Sequence, residues 1–265
     1  MPLKVNTGEQ RRKVYDDHPQ FRKYGHSIYN PMIPSMQFGA PNISLIQHRI
    51  ELDSDLTFYL QQWEHVEGDF VDPLQEMSKL GGVEVTTMLE NSNKKKFEIK
   101  KLNKCPKAVL FYIHGYASSV SFANSVVSKS FCSHNYTVYA MDGFGHGLSD
   151  GLHGFIPKFD KYTDYFEKVY NKISEDYRDC KKYLLSVSMG GAVAINILAK
   201  KHNFDGIVFI SPMIKIAPKI IPGYAVQQVF KLVSFLLPTS KLTPSGMKTS
   251  DIFNDQKFAK ICLFL

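Results

Sequence analysis

The amino-acid sequence predicts an α/β fold, a mostly parallel sheet with helices on both faces. Three observations carry that expectation. From residue 108 onward, short apolar runs recur at Ala108 to Ile113, Thr137 to Met141, Tyr183 to Val187 and Ile207 to Ile210. These runs are apolar without alternation, as strands buried on both faces must be. Between them lie helical stretches, the order expected of parallel strands joined by crossover helices.

Each element follows from its local pattern. Residues 1–40 mix basic residues with turn formers, such as Tyr29-Asn30-Pro31 and Gly39-Ala40-Pro41, and read as an irregular arm. The core is expected over 41–213. It opens with a hairpin, Ile43 to Leu52 and Leu56 to Trp63, turning at Asp53-Ser54-Asp55. A segment at about 66–104, with Gly81-Gly82 and the polar run Asn91 to Lys96, reads as an insertion. Phe159, Tyr162, Phe166, Val169, Ile173 and Tyr177 recur at three- and four-residue steps, which predicts an amphipathic helix whose aromatic stripe packs on the sheet. A further helix is expected over Ala192 to Lys200. In the last region, 214–265, Val226, Val229, Phe230, Val233 and Leu237 share one helical face, and Leu232, Phe235 and Leu236 widen it. A helix this apolar is either buried or faces lipid.

Composition excludes several function classes. The 265 residues are 44% hydrophobic and 13% aromatic, ample for a packed core. Cys105, Cys132, Cys180 and Cys262 are scattered and form no cysteine/histidine cluster, so neither a disulfide framework nor a metal site is expected. No cofactor-binding motif is present either. The start is polar and no run reaches the roughly 18 apolar residues of a membrane span, which predicts a cytoplasmic protein. The net charge of +7 is spread along the chain with no nucleic-acid-reading motif, so it reads as a solvated surface and not as a nucleic-acid footprint.

Chemistry concentrates at Leu184-Leu185-Ser186-Val187-Ser188-Met189-Gly190-Gly191, where a strand runs through a tight turn into a helix. A serine at such a bend would sit on a strained elbow with its hydroxyl exposed above the sheet. Ser186 stands where the G-x-S-x-G pattern has its first glycine. A second reading of Ser188 stays open, that of a polar cap on the helix that follows. The strand Ala108 to Ile113 ends in His114-Gly115-Tyr116, and the backbone N–H groups of Tyr116 and Met189 are candidates for an oxyanion hole. In the loop Asp142-Gly143-Phe144-Gly145-His146-Gly147-Leu148-Ser149, Asp142 and His146 read as structural residues.

With Gly145-His146-Gly147-Leu148-Ser149, Ser188-Met189-Gly190-Gly191-Ala192 and Ile210-Ser211-Pro212-Met213 in this order, the sequence resembles the monoacylglycerol lipase and lysophospholipase group of α/β hydrolases, with their serine aminopeptidase S33-like domain. The resemblance runs from about Ala108 to Asp255. It implies the α/β-hydrolase fold, Ser188 as nucleophile, Tyr116 and Met189 as oxyanion hole, and a cap begun after Ser211-Pro212. It further implies a lipid ester substrate, a monoacylglycerol or lysophospholipid, and peripheral membrane contact through the cap, helped by Lys215, Lys219 and Lys231.

The resemblance also marks a gap. In this fold the general base is a histidine that follows the serine and an acid in chain order. After Ser188 the sequence holds one histidine, His202, which directly follows the elbow helix and is expected at the opposite end of the sheet, as is Asp205. Asp251 and Asp255 fall in the cap region. The triad acid and histidine are therefore not found, and the 77 residues from 189 to 265 leave no room for the last strands of the fold. The expectation is a truncated chain, and with it the alternative of a catalytically inactive homologue that binds lipid or a partner. A peptidase or small-ester hydrolase on the same fold is a third reading.

Overall fold

The computed structural model describes residues 7–17, 43–53, 56–65, 86–91, 103, 106–120, 124–200, 202–215 and 221–236. Seven strands form one sheet: β1 (Ile43–Asp53), β2 (Leu56–His65), β3 (Thr86–Asn91), β4 (Ala108–Ile113), β5 (Tyr136–Met141), β6 (Lys182–Val187) and β7 (Gly206–Ile210). Their order across the sheet is β3-β1-β2-β5-β4-β6-β7. β1 and β2 are the antiparallel hairpin that their turn residues predict, and β2 joins β5 antiparallel. From β5 through β4 and β6 to β7 every pairing is parallel.

The parallel half is threaded by crossover helices: α2 (Asn124–Cys132) after β4, α3 (Phe159–Asp176) after β5 and α4 (Met189–Ala199) after β6. α3 and α4 cover one face. There Tyr162, Phe166, Val169, Tyr170 and Ile173, most of the aromatic stripe, meet Val109, Phe111, Ile113, Tyr139 and Leu184 of the strands. The other face buries Tyr59, Trp63, Leu110, Tyr112, Val138 and Leu185, with Cys132, Val127 and Phe131 of α2 packed on them. Burial of each large side chain contributes about 1.5–3 kcal/mol, which is why the unbroken apolar runs become central strands.

Two differences from the sequence expectation concern its first hundred residues. The arm is not irregular throughout, because residues 8–17 form α1 (Gly8–Asp17). Its start is a capping box: the Gln10 N–H donates to Thr7 Oγ1 and the Thr7 N–H to Gln10 Oε1, both at 3.2 Å. The helix docks far away in sequence. Arg12 donates to the Leu148 carbonyl at 3.0 Å and pairs with Asp150 at 2.8 Å. The second difference is that the 66–104 insertion supplies β3, which pairs parallel to β1 at the sheet edge.

At the far edge the packing changes. α5 (Tyr224–Leu236) is the helix expected in the cap region, and its apolar side chains are exposed, among them Val229, Leu232, Phe235 and Leu236. Val208, Phe209 and Ile210 of β7 are also exposed. No strand lies beyond β7 among the described residues.

Candidate active site

The site follows from strand register. β4 pairs with β6 through Ile113 and Ser186, and β6 with β7 through Val187 and Ile210. The loops that begin at His114, Ser188 and Ser211 therefore leave the same edge of the sheet side by side. This is the carboxyl edge of the parallel strands, where open α/β sheets place their ligands. Backbone strain gathers there as well. Ala117 (φ 55°), Ser188 (φ 50°) and Ser211 (φ 45°), one in each of the three loops, hold positive φ without being glycine. Such conformations cost about 1–3 kcal/mol each and persist only where the surroundings impose them.

At Ser188 those surroundings are explicit. Its N–H donates to the Ile210 carbonyl at 3.0 Å, and its carbonyl accepts from the N–H groups of Gly191 and Met213, both at 2.9 Å. Its dihedrals, φ 50° and ψ −117°, lie far from the extended backbone of a helix cap, and its side chain makes no capping hydrogen bond. Ser188 thus occupies the N-cap position of α4 without acting as a side-chain cap. Ser188 itself is exposed.

Two glycines make the turn possible by close approach. A Cβ on Gly190 would run into the Ile113 carbonyl oxygen and lie 2.7 Å from that of His114, so only glycine lets α4 start against the end of β4. At Gly115 a Cβ would stand 3.2 Å from Ser188 Cβ and 3.8 Å from its Oγ. Gly115 thus brings the β4 loop, with Tyr116 next in sequence, up to the serine. Met189 opens α4 on the serine's other side, and N–H groups in a helix's first turn have no intrahelical acceptor. Met189 directly follows Ser188 and Tyr116 directly follows Gly115, so the three residues singled out in the sequence lie at the same edge of the sheet.

The histidines and acids do not converge with them. His114 is fully buried and donates through Nδ1 to the Gly115 carbonyl at 2.7 Å, while Nε2 accepts the Gly143 N–H at 2.9 Å. Both ring nitrogens are committed, and burial lowers its pKa to about 4 against a small rise from the Gly115 bond, so it stays neutral. Asp142 holds its loop, accepting the Val120 and Leu148 N–H groups on its two carboxylate oxygens at 2.8 Å. His146 is buried in the same loop with Nδ1 on the Phe144 carbonyl at 2.9 Å, and its ring packs against those of His114, Tyr116 and Tyr162. His202 bonds Glu167 at 2.5 Å beyond the C-terminal end of α4. Asp205 accepts the N–H of Lys182, the first residue of β6, at 2.8 Å. At about 3.3 Å per strand residue, that is the whole length of β6 away from Ser188. Asp251 and Asp255 lie outside the described residues.

A strained serine between the ends of parallel strands, on this sheet order, defines an α/β hydrolase. The chain belongs to the serine aminopeptidase S33 family of that fold (Hydrolase_4), which matches residues 104–262. It is 31% identical to human monoglyceride lipase, over 56% of this chain and 51% of that protein. It is 27% identical to caffeoylshikimate esterase of Arabidopsis thaliana, over 58% of this chain and 48% of that protein. The chain thus spans about half the length of the curated relatives it matches. Its fold is similar to that of a soluble variant of monoglyceride lipase from Saccharomyces cerevisiae, solved with a substrate analog: the TM-score is 0.54 at 16% identity, covering 80% of this chain and 59% of that one.

Proposed function

We propose that this protein is a serine ester hydrolase of the monoacylglycerol lipase type, forming its acyl-enzyme on Ser188. The carrying observation is the uncapped, strained Ser188 held by Ile210, Gly191 and Met213 at the carboxyl edge of the sheet. In the proposed reaction the Ser188 oxygen attacks the ester carbonyl as its proton passes to a base. The oxyanion is held by the backbone N–H groups of Tyr116 and Met189, the alcohol leaves, and water then releases the carboxylic acid. Removing one donor of such a hole typically costs 10²–10³-fold in rate, about 2.7–4 kcal/mol.

The proposed substrate is a lipid ester with one acyl chain, a monoacylglycerol or lysophospholipid. Its support is the similarity to monoglyceride lipases together with the exposed apolar surface of α5, where Val229, Leu232, Phe235 and Leu236 stand beside Lys231. That surface also supports peripheral contact of the cap with a membrane. No described helix is long and apolar enough to cross one.

A second reading is favoured by one observation: among the described residues, the chemistry of His114 and the positions of His202 and Asp205 assign no base to Ser188. On that reading the chain binds lipid or a partner without turnover. One experiment separates the two. The 265-residue chain and its Ser188→Ala variant are treated with a fluorophosphonate probe and assayed on a monoacylglycerol. Labelling and hydrolysis that both vanish in Ser188→Ala support the hydrolase. Lipid binding unchanged by Ser188→Ala, with turnover about 10⁶-fold down as for a serine hydrolase lacking its base, supports the inactive homologue.

A further inference from the structure

We infer that Arg12 of α1 is a positioning residue for Tyr116, so that docking of the N-terminal helix sets the geometry of the candidate oxyanion hole. For its catalytic part the inference rests on the reading of Ser188 as nucleophile. It starts from how closely α1 sits on the loop after β5. A Cβ on Gly8 would run into the Ser149 carbonyl oxygen and lie 2.6 Å from Asp150 Cα, so the first turn of α1 rests directly on that backbone. One turn on, Arg12 spans the same stretch with both terminal nitrogens. Nη1 donates to the Leu148 carbonyl at 3.0 Å, and Nη2 pairs with Asp150 Oδ1 at 2.8 Å. The side chains of Arg12 and Asp150 are 15% and 18% exposed, and a partly buried pair is screened much less than a surface one.

From the two residues that Arg12 grips, two hydrogen-bonded routes lead to the loop after β4. The first leaves Leu148, whose N–H donates to Asp142 Oδ2 at 2.8 Å, while Oδ1 of the same carboxylate accepts the Val120 N–H at 2.8 Å. The second leaves Asp150, whose carbonyl accepts the Gly145 N–H at 2.6 Å. The Gly145 carbonyl accepts the Gly154 N–H at 2.8 Å, and the Gly154 carbonyl accepts the Tyr116 hydroxyl at 2.8 Å. The routes thus end at Val120 and Tyr116, the two ends of the stretch that holds the strained Ala117.

Tyr116 is where the second route acts. Its side chain is 54% exposed, so it is held largely by that hydroxyl bond and by the edge contact of its ring with His146, 5.7 Å between centres. Gly154, at φ 71°, leaves room for the hydroxyl, since a Cβ there would stand 3.0 Å from it. Anchoring the phenol restrains the backbone of the same residue, whose N–H is the candidate donor to the oxyanion. Catalysis is sensitive to such placement, because a misplacement of about 1 Å can cost about 10²-fold in rate. Arginine suits the role at position 12, since a planar guanidinium meets two acceptors in fixed geometry where an ammonium is a point charge.

A chain of contacts is not yet a coupling, and the experiment measures the coupling at Tyr116 itself. A ring-fluorinated tyrosine is incorporated in place of Tyr116 in the full 265-residue chain and followed by fluorine NMR. Labelling of Ser188 by a fluorophosphonate is timed on the unfluorinated chain. Arg12→Gln is expected to move the fluorine resonance and to slow labelling about tenfold, a fraction of what a misplaced donor can cost. Gly8→Val, which lifts α1 off without touching Arg12, is expected to do the same, and Arg12→Lys to recover part of the loss. Tyr116→Phe should also slow labelling, and adding Arg12→Gln to it should cost less than Arg12→Gln costs alone. No described residue of α1 belongs to either hydrophobic cluster on the sheet, so the α1 variants are expected to fold. The inference is overturned if the resonance is unchanged in Arg12→Gln and Gly8→Val, or if it moves while labelling keeps the wild-type rate. It is equally overturned if the losses in Arg12→Gln and Tyr116→Phe multiply in full, which marks independent effects. A wild type that does not label refutes the reading of Ser188 separately, and the resonance then decides alone whether Arg12 positions Tyr116.

Discussion

The centre and the edge of the parallel sheet are finished in opposite ways. Every residue of β4 is buried, whereas Val208, Phe209 and Ile210 of β7, on the other side of β6, are 52%, 38% and 44% exposed. Both strands nevertheless hold the same serine. From the β4 side Gly115 and the Ile113 and His114 carbonyls fix how closely Ser188 and Gly190 approach, and from the β7 side the Ile210 carbonyl takes the Ser188 N–H. The elbow is thus clamped between a support that is packed on both faces and one that faces solvent, and stability need not be equal on the two sides.

The largest expected effect lies on the packed side. Gly190→Val drives a branched side chain into two backbone carbonyls that cannot rotate away, and overpacking of this kind is expected to cost about 3 kcal/mol or more. Urea denaturation of the variant measures it. A loss below about 1 kcal/mol would mean that β4 and α4 can separate, and the claimed rigidity of the centre would be gone.

A second test of the packed side uses pH. His114 has a folded pKa of about 4, below the ordinary 6.5, because burial disfavours its charged form. The unfolded chain therefore takes up a proton before the folded one does. Stability from this group is complete above about pH 6.5 and is lost as pH falls toward 4, by on the order of 3 kcal/mol. Urea unfolding across that interval should show the loss in the wild type and a shallower one in His114→Asn. Equal slopes would show that burial does not hold His114 neutral.

The same contrast explains how much of the molecule could be read from its sequence. β4, β5, β6 and β7 were legible to within a residue or so at each end because strands of a parallel sheet advertise themselves as unbroken apolar runs, and the α3 stripe because its rings face one way. α1 was missed although Thr7 and Gln10 carry a capping-box signature, since what fixes that helix is Arg12 on Leu148 and Asp150, more than 130 residues away. β3 was hidden for the same reason, in that a short polar strand is defined by its partner β1. At the site, Ser188 was legible through its small neighbours. The positive φ of Ala117 and Ser211 was not, because neither residue type marks it, and only the register of three strands brings those loops together.

A smaller effect tests how finely the centre is tuned. Ser186 stands where the elbow pattern has glycine, and its buried hydroxyl has no hydrogen-bond partner among the described residues. Ser186→Ala removes a desolvated polar group without opening a cavity, so it is expected to raise stability by up to about 1 kcal/mol in urea melts. A destabilisation of that size would instead assign the hydroxyl a bonding role in the strand.

The smallest expected change in stability falls on the exposed strand and bears most directly on the contrast. Val208 lies at half exposure, opposite Leu185 in the register, on a sheet edge with no strand beyond it among the described residues. A lysine there can reach water with its ammonium while its stem covers the old apolar contact. Val208→Lys is therefore expected to change stability by no more than about 0.5 kcal/mol. Its visible effect should be on association, because a bare apolar edge invites pairing with another chain and an inserted charge opposes it. Sedimentation of the wild type and the variant at equal concentration checks this, with less self-association expected for the lysine. If Val208→Lys instead unfolds the chain as Gly190→Val is expected to, then β7 is packed as firmly as β4 in solution, and the elbow has two rigid supports.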